Sequence, residues 1–147
     1  MFNMCFITVP AVVLVSAAGL YFLKVYLKRN KLRDMYFRSV IKSLPVGLYL
    51  RDTKGKFLFS NEEFSRMMGI PRHRLEKLTL RDVFAPEYLT NLEPEEKEIS
   101  KTKNPLTIEK TMTFFGNKVH NYRILKSPVL DNKENIIAYV ILFKIHI

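Results

Sequence analysis

Cysteine is nearly missing from this chain. A single residue, Cys5, rules out a disulfide framework and any CxxC metal site. The motifs of common catalysis are missing too: there is no glycine-rich phosphate loop, no GxSxG and no HExxH. Histidines number three, His73, His120 and His146, and none sits in a motif with a partnering acid. No pair of carboxylates stands out, and Glu93, Glu95, Glu96 and Glu98 read as a solvated helix face. No catalysis and no metal site are therefore expected on these residues.

Acids are also scarce where cations gather. Residues 24–42 hold seven Lys and Arg against one acid, Asp34, within a chain of formal net charge +10. Just before them, Cys5 to Leu23 is an unbroken apolar run, about the length a helix needs to cross a bilayer. A helix satisfies its own backbone there. Cations on the C-terminal side only would place the N-terminus outside and the rest in the cytoplasm. A cleaved signal peptide fits less well, because no charged n-region precedes Cys5. The expectation is a single-pass protein of the inner membrane, with a basic cluster touching anionic lipid at about 1 kcal/mol per charge. That location of the charge argues against nucleic acid as a partner.

Lys24 to Leu44 contains neither Gly nor Pro, and Pro45 ends the stretch. Leu32, Met35, Tyr36, Val40 and Leu44 form a one-sided helical stripe. Ala11, Ala18, Val25, Leu32 and Ser39 are spaced by sevens, as in a helix pairing with a second copy. The expected organisation is a membrane helix over 1–24, a basic amphipathic linker helix over 25–44 and one small domain over 45–147.

Within that domain, Gly47–Asp52 and Lys56–Ser60 read as a hairpin. Ser60 with Glu63 reads as a capping box opening a helix whose inner face is Phe64, Met67 and Met68. Gly69 suits the left-handed position that ends it, and Pro71 prevents continuation. A second helical region is expected within Pro86–Ser100, with Pro94 in a first turn. Three strands follow at Thr107–Phe115, Lys118–Ser127 and Ile136–Ile145. Gly116-Asn117 and the Asp131–Asn135 segment supply the turns. Strand, strand, helices and three strands make an α+β domain, a five-stranded antiparallel sheet with helices on one face.

This arrangement resembles a PAS domain over about residues 40–147. The stretch LPVGLYLRDTKGKFLFSNEEFSRMMGI carries Asn61, Phe64 and Gly69 at the positions of the family pattern. The tail resembles the last two strands, with a Ser127-Pro128 bend and a turn led by Asp131. It departs at Lys144-Ile145-His146, where the family often reads Asp-Ile-Thr, and at Asn135, which stands for the usual turn glycine and can also be left-handed. The layout of membrane helix, basic helix and PAS resembles the membrane-proximal part of unorthodox hybrid sensor histidine kinases. The resemblance implies a membrane-anchored signalling module. It would be a truncated kinase or a partner of another sensor protein, dimeric through Leu32, Met35, Tyr36 and Val40 and through the PAS domain. A cytoplasmic ligand sensor and a stand-alone adaptor are the alternatives. No phosphoacceptor His helix or ATP-binding domain is present in the sequence.

A cavity between sheet and helices is a further implication. Phe59, Phe64, Met67, Met68, Phe84, Leu89, Leu92, Tyr122 and Ile124 would line it or fill an ordinary core. No cofactor is expected. A light-sensing flavin domain would need a cytoplasmic cysteine, and haem would need an axial ligand in the helical region.

Overall fold

The structure is a computed structural model that describes the backbone of residues 5–114 and 119–146, and side chains from residue 19 onward. The chain divides into two compact units, Met1–Val40 and Ile41–Ile147. The first is helix throughout its described part, belonging to α1 (Cys5–Ser43). With no Gly or Pro after Gly19, nothing interrupts the hydrogen-bond ladder before Ser43. Leu32, Met35, Tyr36 and Val40 are all exposed, Tyr36 to 64%. Ser39 Oγ donates back to the Met35 carbonyl at 2.9 Å.

The membrane expectation needs correcting. Among the described residues no helix is long and apolar enough to cross a membrane. From Gly19 on, α1 carries a cation at Lys24, Lys28, Arg29, Lys31 and Arg33, too closely spaced for a hydrocarbon path. Most of the apolar run, with Cys5, Ala11 and Ala18, lies outside the described side chains. So does the Gly116-Asn117 turn.

The second unit is an antiparallel five-stranded sheet in the order β2-β1-β5-β4-β3. Its strands are β1 (Gly47–Asp52), β2 (Phe57–Ser60), β3 (Leu106–Thr113), β4 (Val119–Leu130) and β5 (Ile136–Ile145). Helices α2 (Glu62–Met68), α3 (Arg72–Leu75), α4 (Leu80–Val83), α5 (Pro86–Thr90) and α6 (Leu92–Thr102) lie between β2 and β3 in sequence. The five-stranded α+β architecture is as expected. His73 sits in α3.

One apolar cluster joins the helices to a single face of the sheet. Period-2 alternation sends Tyr49, Tyr122, Ile124, Tyr139, Ile141 and Phe143 inward, where Phe64, Leu75, Leu80, Phe84, Tyr88 and Ile99 meet them. Tyr49 is ringed by Phe57, Phe64, Phe84 and Phe143 at centroid distances of 4.8 to 6.0 Å. Each such buried ring contributes about 1.5–3 kcal/mol before entropy is subtracted.

Two aspartates shape the tight turns in the same way. Asp52 Oδ1 accepts from the Lys54 and Lys56 amides at 2.9 and 2.8 Å. Asp131 Oδ1 accepts from Lys133 and Asn135 at 2.8 and 2.9 Å. Those bonds, from Asn135 above all, hold the Asp131 carboxyl below its usual range. The left-handed residue of the last turn is Glu134, φ 63°, rather than Asn135. Asn135 is occupied in bonding Asp131 through both its amide and its side chain.

Ser127-Pro128, expected at a bend, lies within β4, where Ser127 pairs with Val140 and Pro128 with Tyr139 and the register shifts just beyond, between Val129 and Leu130. Because β3 begins at Leu106 opposite Lys126, Pro128 lies where β4 is paired on one side only, a place that tolerates a missing N–H.

Candidate functional site

Three features of the second unit bear on function: a joint, a buried charge cluster and a cavity. Asn61 makes the joint. Its side-chain oxygen accepts from Phe64 N and from Leu48 N, both at 2.9 Å. Its amide donates to the Val46 carbonyl at 2.8 Å and, at 3.5 Å, to the carbonyl of Ile41. One buried side chain thus fastens the last turn of α1, strand β1 and the start of α2 together. The expected cap was Ser60. That residue instead belongs to β2, paired with Tyr49, and its hydroxyl has no hydrogen-bond partner among the described residues. At the other end of α2, Gly69 adopts φ 65°, ψ 20°, the left-handed geometry expected of it.

The charge cluster corrects the reading of Glu95 and Glu96 as part of a solvated face, while Glu93 and Glu98 are exposed as expected. Glu96 pairs with the guanidinium of Arg51. Glu95 pairs with Lys126 and, at 2.7 Å, with Lys110, an ion pair without hydrogen-bond geometry. Arg51 and Lys126 are almost wholly buried. Arg51 also lies 4.4 Å over the Tyr139 ring and donates to the Asp52 carbonyl. Buried charges persist only when paired, because leaving water costs several kcal/mol per ion. Burial pushes the Lys126 ammonium below its ordinary value, and Glu95 opposes that shift. A signal for this cluster was readable. Arg51, Lys110 and Lys126 share inward parity with Tyr49, Ile108 and Ile124, so each cation was aimed at the core.

Beside the cluster the phenols of Tyr49 and Tyr88 lie 3.4 Å apart. Burial pushes Tyr49 up to about 12 and raises Tyr88 as well.

The cavity, about 690 Å³, opens between α4, α5 and β3. Of the expected lining residues it contains Met68 and Phe84. Phe64, Tyr122 and Ile124 are buried in the core, with Met67 packed against it. Leu89 and Leu92 border a separate groove beside the β1–β2 turn. Phe59 is half-buried beneath the Arg72 guanidinium, 5.0 Å from the ring centroid. The sequence reasoning missed Val83, Tyr88, Lys110, Met112 and Phe114, which complete the walls. Among the described residues no cluster of His, Cys, Asp or Glu is placed to hold a metal.

The PAS fold signature matches residues 36–145. The chain belongs to the PAS family. Solved structures that it resembles include a PAS domain from a two-component sensor histidine kinase, at 14% identity and TM-score 0.63, covering 80% of this chain and 99% of that one. The PAS domain of BvgS from Bordetella pertussis is similar at 14% identity and TM-score 0.63, over 78% and 87% of the two chains. A VqmA dimer from Vibrio cholerae shares 15% identity at TM-score 0.63, over 74% of this chain and 51% of that one. No curated protein matches. At such identities the likeness establishes the fold alone.

Proposed function

We propose that this chain is a signal-relay PAS module of the kind carried by sensor histidine kinases, dimeric through α1, with kinase chemistry supplied by other domains or by a partner. The observation that carries this reading is the Asn61 joint. Asn61 makes four hydrogen bonds, one of them to the Ile41 carbonyl at the end of α1 and the others to Val46, β1 and α2, so rotation or displacement of that helix end pulls on the packed core through this residue. Tight cores shift between discrete packings rather than deforming smoothly, which is what a relay requires. The apolar stripe of Leu32, Met35 and Tyr36, exposed within its own unit, supplies a face for a second copy. The VqmA dimer among the similar structures is compatible with that arrangement.

The test is oxidative cross-linking of the full chain in cells, in a Cys5→Ser background. Leu32→Cys and Met35→Cys should give disulfide-linked dimers on non-reducing gels, and Lys31→Cys far fewer. Equal yields at all three positions, or none, would defeat the dimer helix.

A second reading, favoured by the cavity, makes a small molecule the input. Purified full-length protein should then carry a bound compound visible by absorbance or mass spectrometry after denaturation.

A further inference from the structure

We infer that the cavity between α4, α5 and β3 takes a small aromatic carboxylate, with Lys110 as its counter-charge. The inference rests on the ligand-input reading and gives it a chemical class.

Size and lining come first. A cavity of about 690 Å³ lies within the range of small-molecule sites, which are mostly apolar with a few convergent polar groups. Phe84 and Tyr88 stack at 4.3 Å with an interplanar angle of 20°, forming one wall. Phe114 stands edge-on to Phe84 at 6.4 Å. Met68 and Met112 supply adaptable apolar surface. A planar ring suits such walls, because offset and edge-to-face contacts are the favoured aromatic geometries.

Charge supplies the rest. Three cations, Arg51, Lys110 and Lys126, face two carboxylates, Glu95 and Glu96. Glu96 serves Arg51, so the single carboxylate of Glu95 answers two ammonium groups. The cluster is therefore one negative charge short. Of its three cations only Lys110 reaches the cavity lining. Its side chain is 20% exposed through its stem, while its Nζ is itself buried beside Glu95 and has no partner of hydrogen-bond geometry. To meet an anion in the cavity the ammonium must swing out on its flexible four-carbon stem, and its unused donors are then available to that anion. The Tyr88 ring flanks the ammonium, 5.2 Å from centroid to Nζ. Glu87 also borders the cavity, but it is exposed to solvent, where its charge is screened. Asn91 at the same margin adds a neutral polar group. A ligand with its ring against Phe84 and its carboxylate on Lys110 would satisfy both the walls and the missing charge.

The experiment uses a matched pair of probes, 2-naphthoate and 2-naphthamide, and reads binding to the full chain by ligand-observed NMR titration. The carboxylate should bind about tenfold or more tighter than the amide, the step a charge-assisted hydrogen bond gives. Lys110→Met should erase that preference while leaving amide binding in place. Lys110→Arg should retain it, and Lys101→Met, on the outer side of α6, should not alter it. Retained amide binding in Lys110→Met shows that the variant is folded. Equal affinity for the two probes in the unaltered protein would overturn the charge assignment and leave the ligand-input reading standing. Binding of neither probe, with no compound released on denaturation, would overturn both. A carboxylate preference that survives Lys110→Met would place the counter-charge elsewhere and overturn the proposal.

Discussion

Glu95 holds Lys126 at the inner surface of the sheet, where an ammonium could not remain charged by itself. Removing that carboxylate leaves two cations facing each other in a dry site. Glu95→Gln should cost about 3–5 kcal/mol, the usual penalty for breaking one side of a buried pair. The double variant Glu95→Leu with Lys126→Met should recover much of it, because an apolar pair of similar volume carries no stranded charge. Urea denaturation of the two would settle the point, and equal losses would mean that the pair is effectively solvated.

Asn61→Ala and Ser60→Ala should part company. The first removes a cap and the joint to Ile41, for about 2 kcal/mol or more. The second deletes a buried hydroxyl that bonds to nothing described, so the melting temperature should hold or rise slightly. The reverse ranking would return the cap to Ser60.

The sequence pointed to a cap in this place but missed it by one residue, for a definite reason. Ser and Asn are both good cap residues, and Ser60-Asn61-Glu62-Glu63 offers either as a start. Pairing decides it, since β2 stays in register with β1 as far as Tyr49 opposite Ser60. Only then is the chain free to turn. Gly69 and strand β5 were legible because local conformation and alternation fix them without help from distant residues. Helices α3 and α4 were not, since four residues show no helical period. For α4 a trace existed in Thr79 and Asp82, whose carboxylate accepts from the Thr79 amide at 2.8 Å. The inward cations were overlooked because charge was read as surface. Their meaning depends on α6, more than 40 residues from Arg51 in sequence, bringing Glu95 and Glu96 to them.

Gly69→Val should destabilise the domain by about 1 kcal/mol or more, through a left-handed backbone that a β-branched residue adopts poorly. Gly69→Asn should be far milder, since asparagine visits that region at lower cost. Thermal melts of the pair give the comparison, and identical curves would show that α2 ends elsewhere.

Alkaline pH should loosen the fold through Tyr49. Its phenol ionises near 10.0 when unfolded and near 12 when folded. A folded value above the unfolded one gives stability that is complete below pH 10 and is lost as pH climbs towards 12. The full loss is about 3 kcal/mol. Tyr88 shifts in the same direction and adds to it. Tyr49→Phe should flatten the fall of the urea midpoint across this window relative to the unaltered protein. Parallel curves would show that the phenol is open to water.

The order β2-β1-β5-β4-β3 places the latest-synthesised strand in the middle. During translation the two hairpins therefore emerge with one flank each unsatisfied, and neither can find the other until Ile136–Ile145 leaves the ribosome. The nascent polypeptide must wait in two pieces, exposing the inward surfaces of both to chaperones or to neighbouring chains, and the final ten-residue strand closes them in one step.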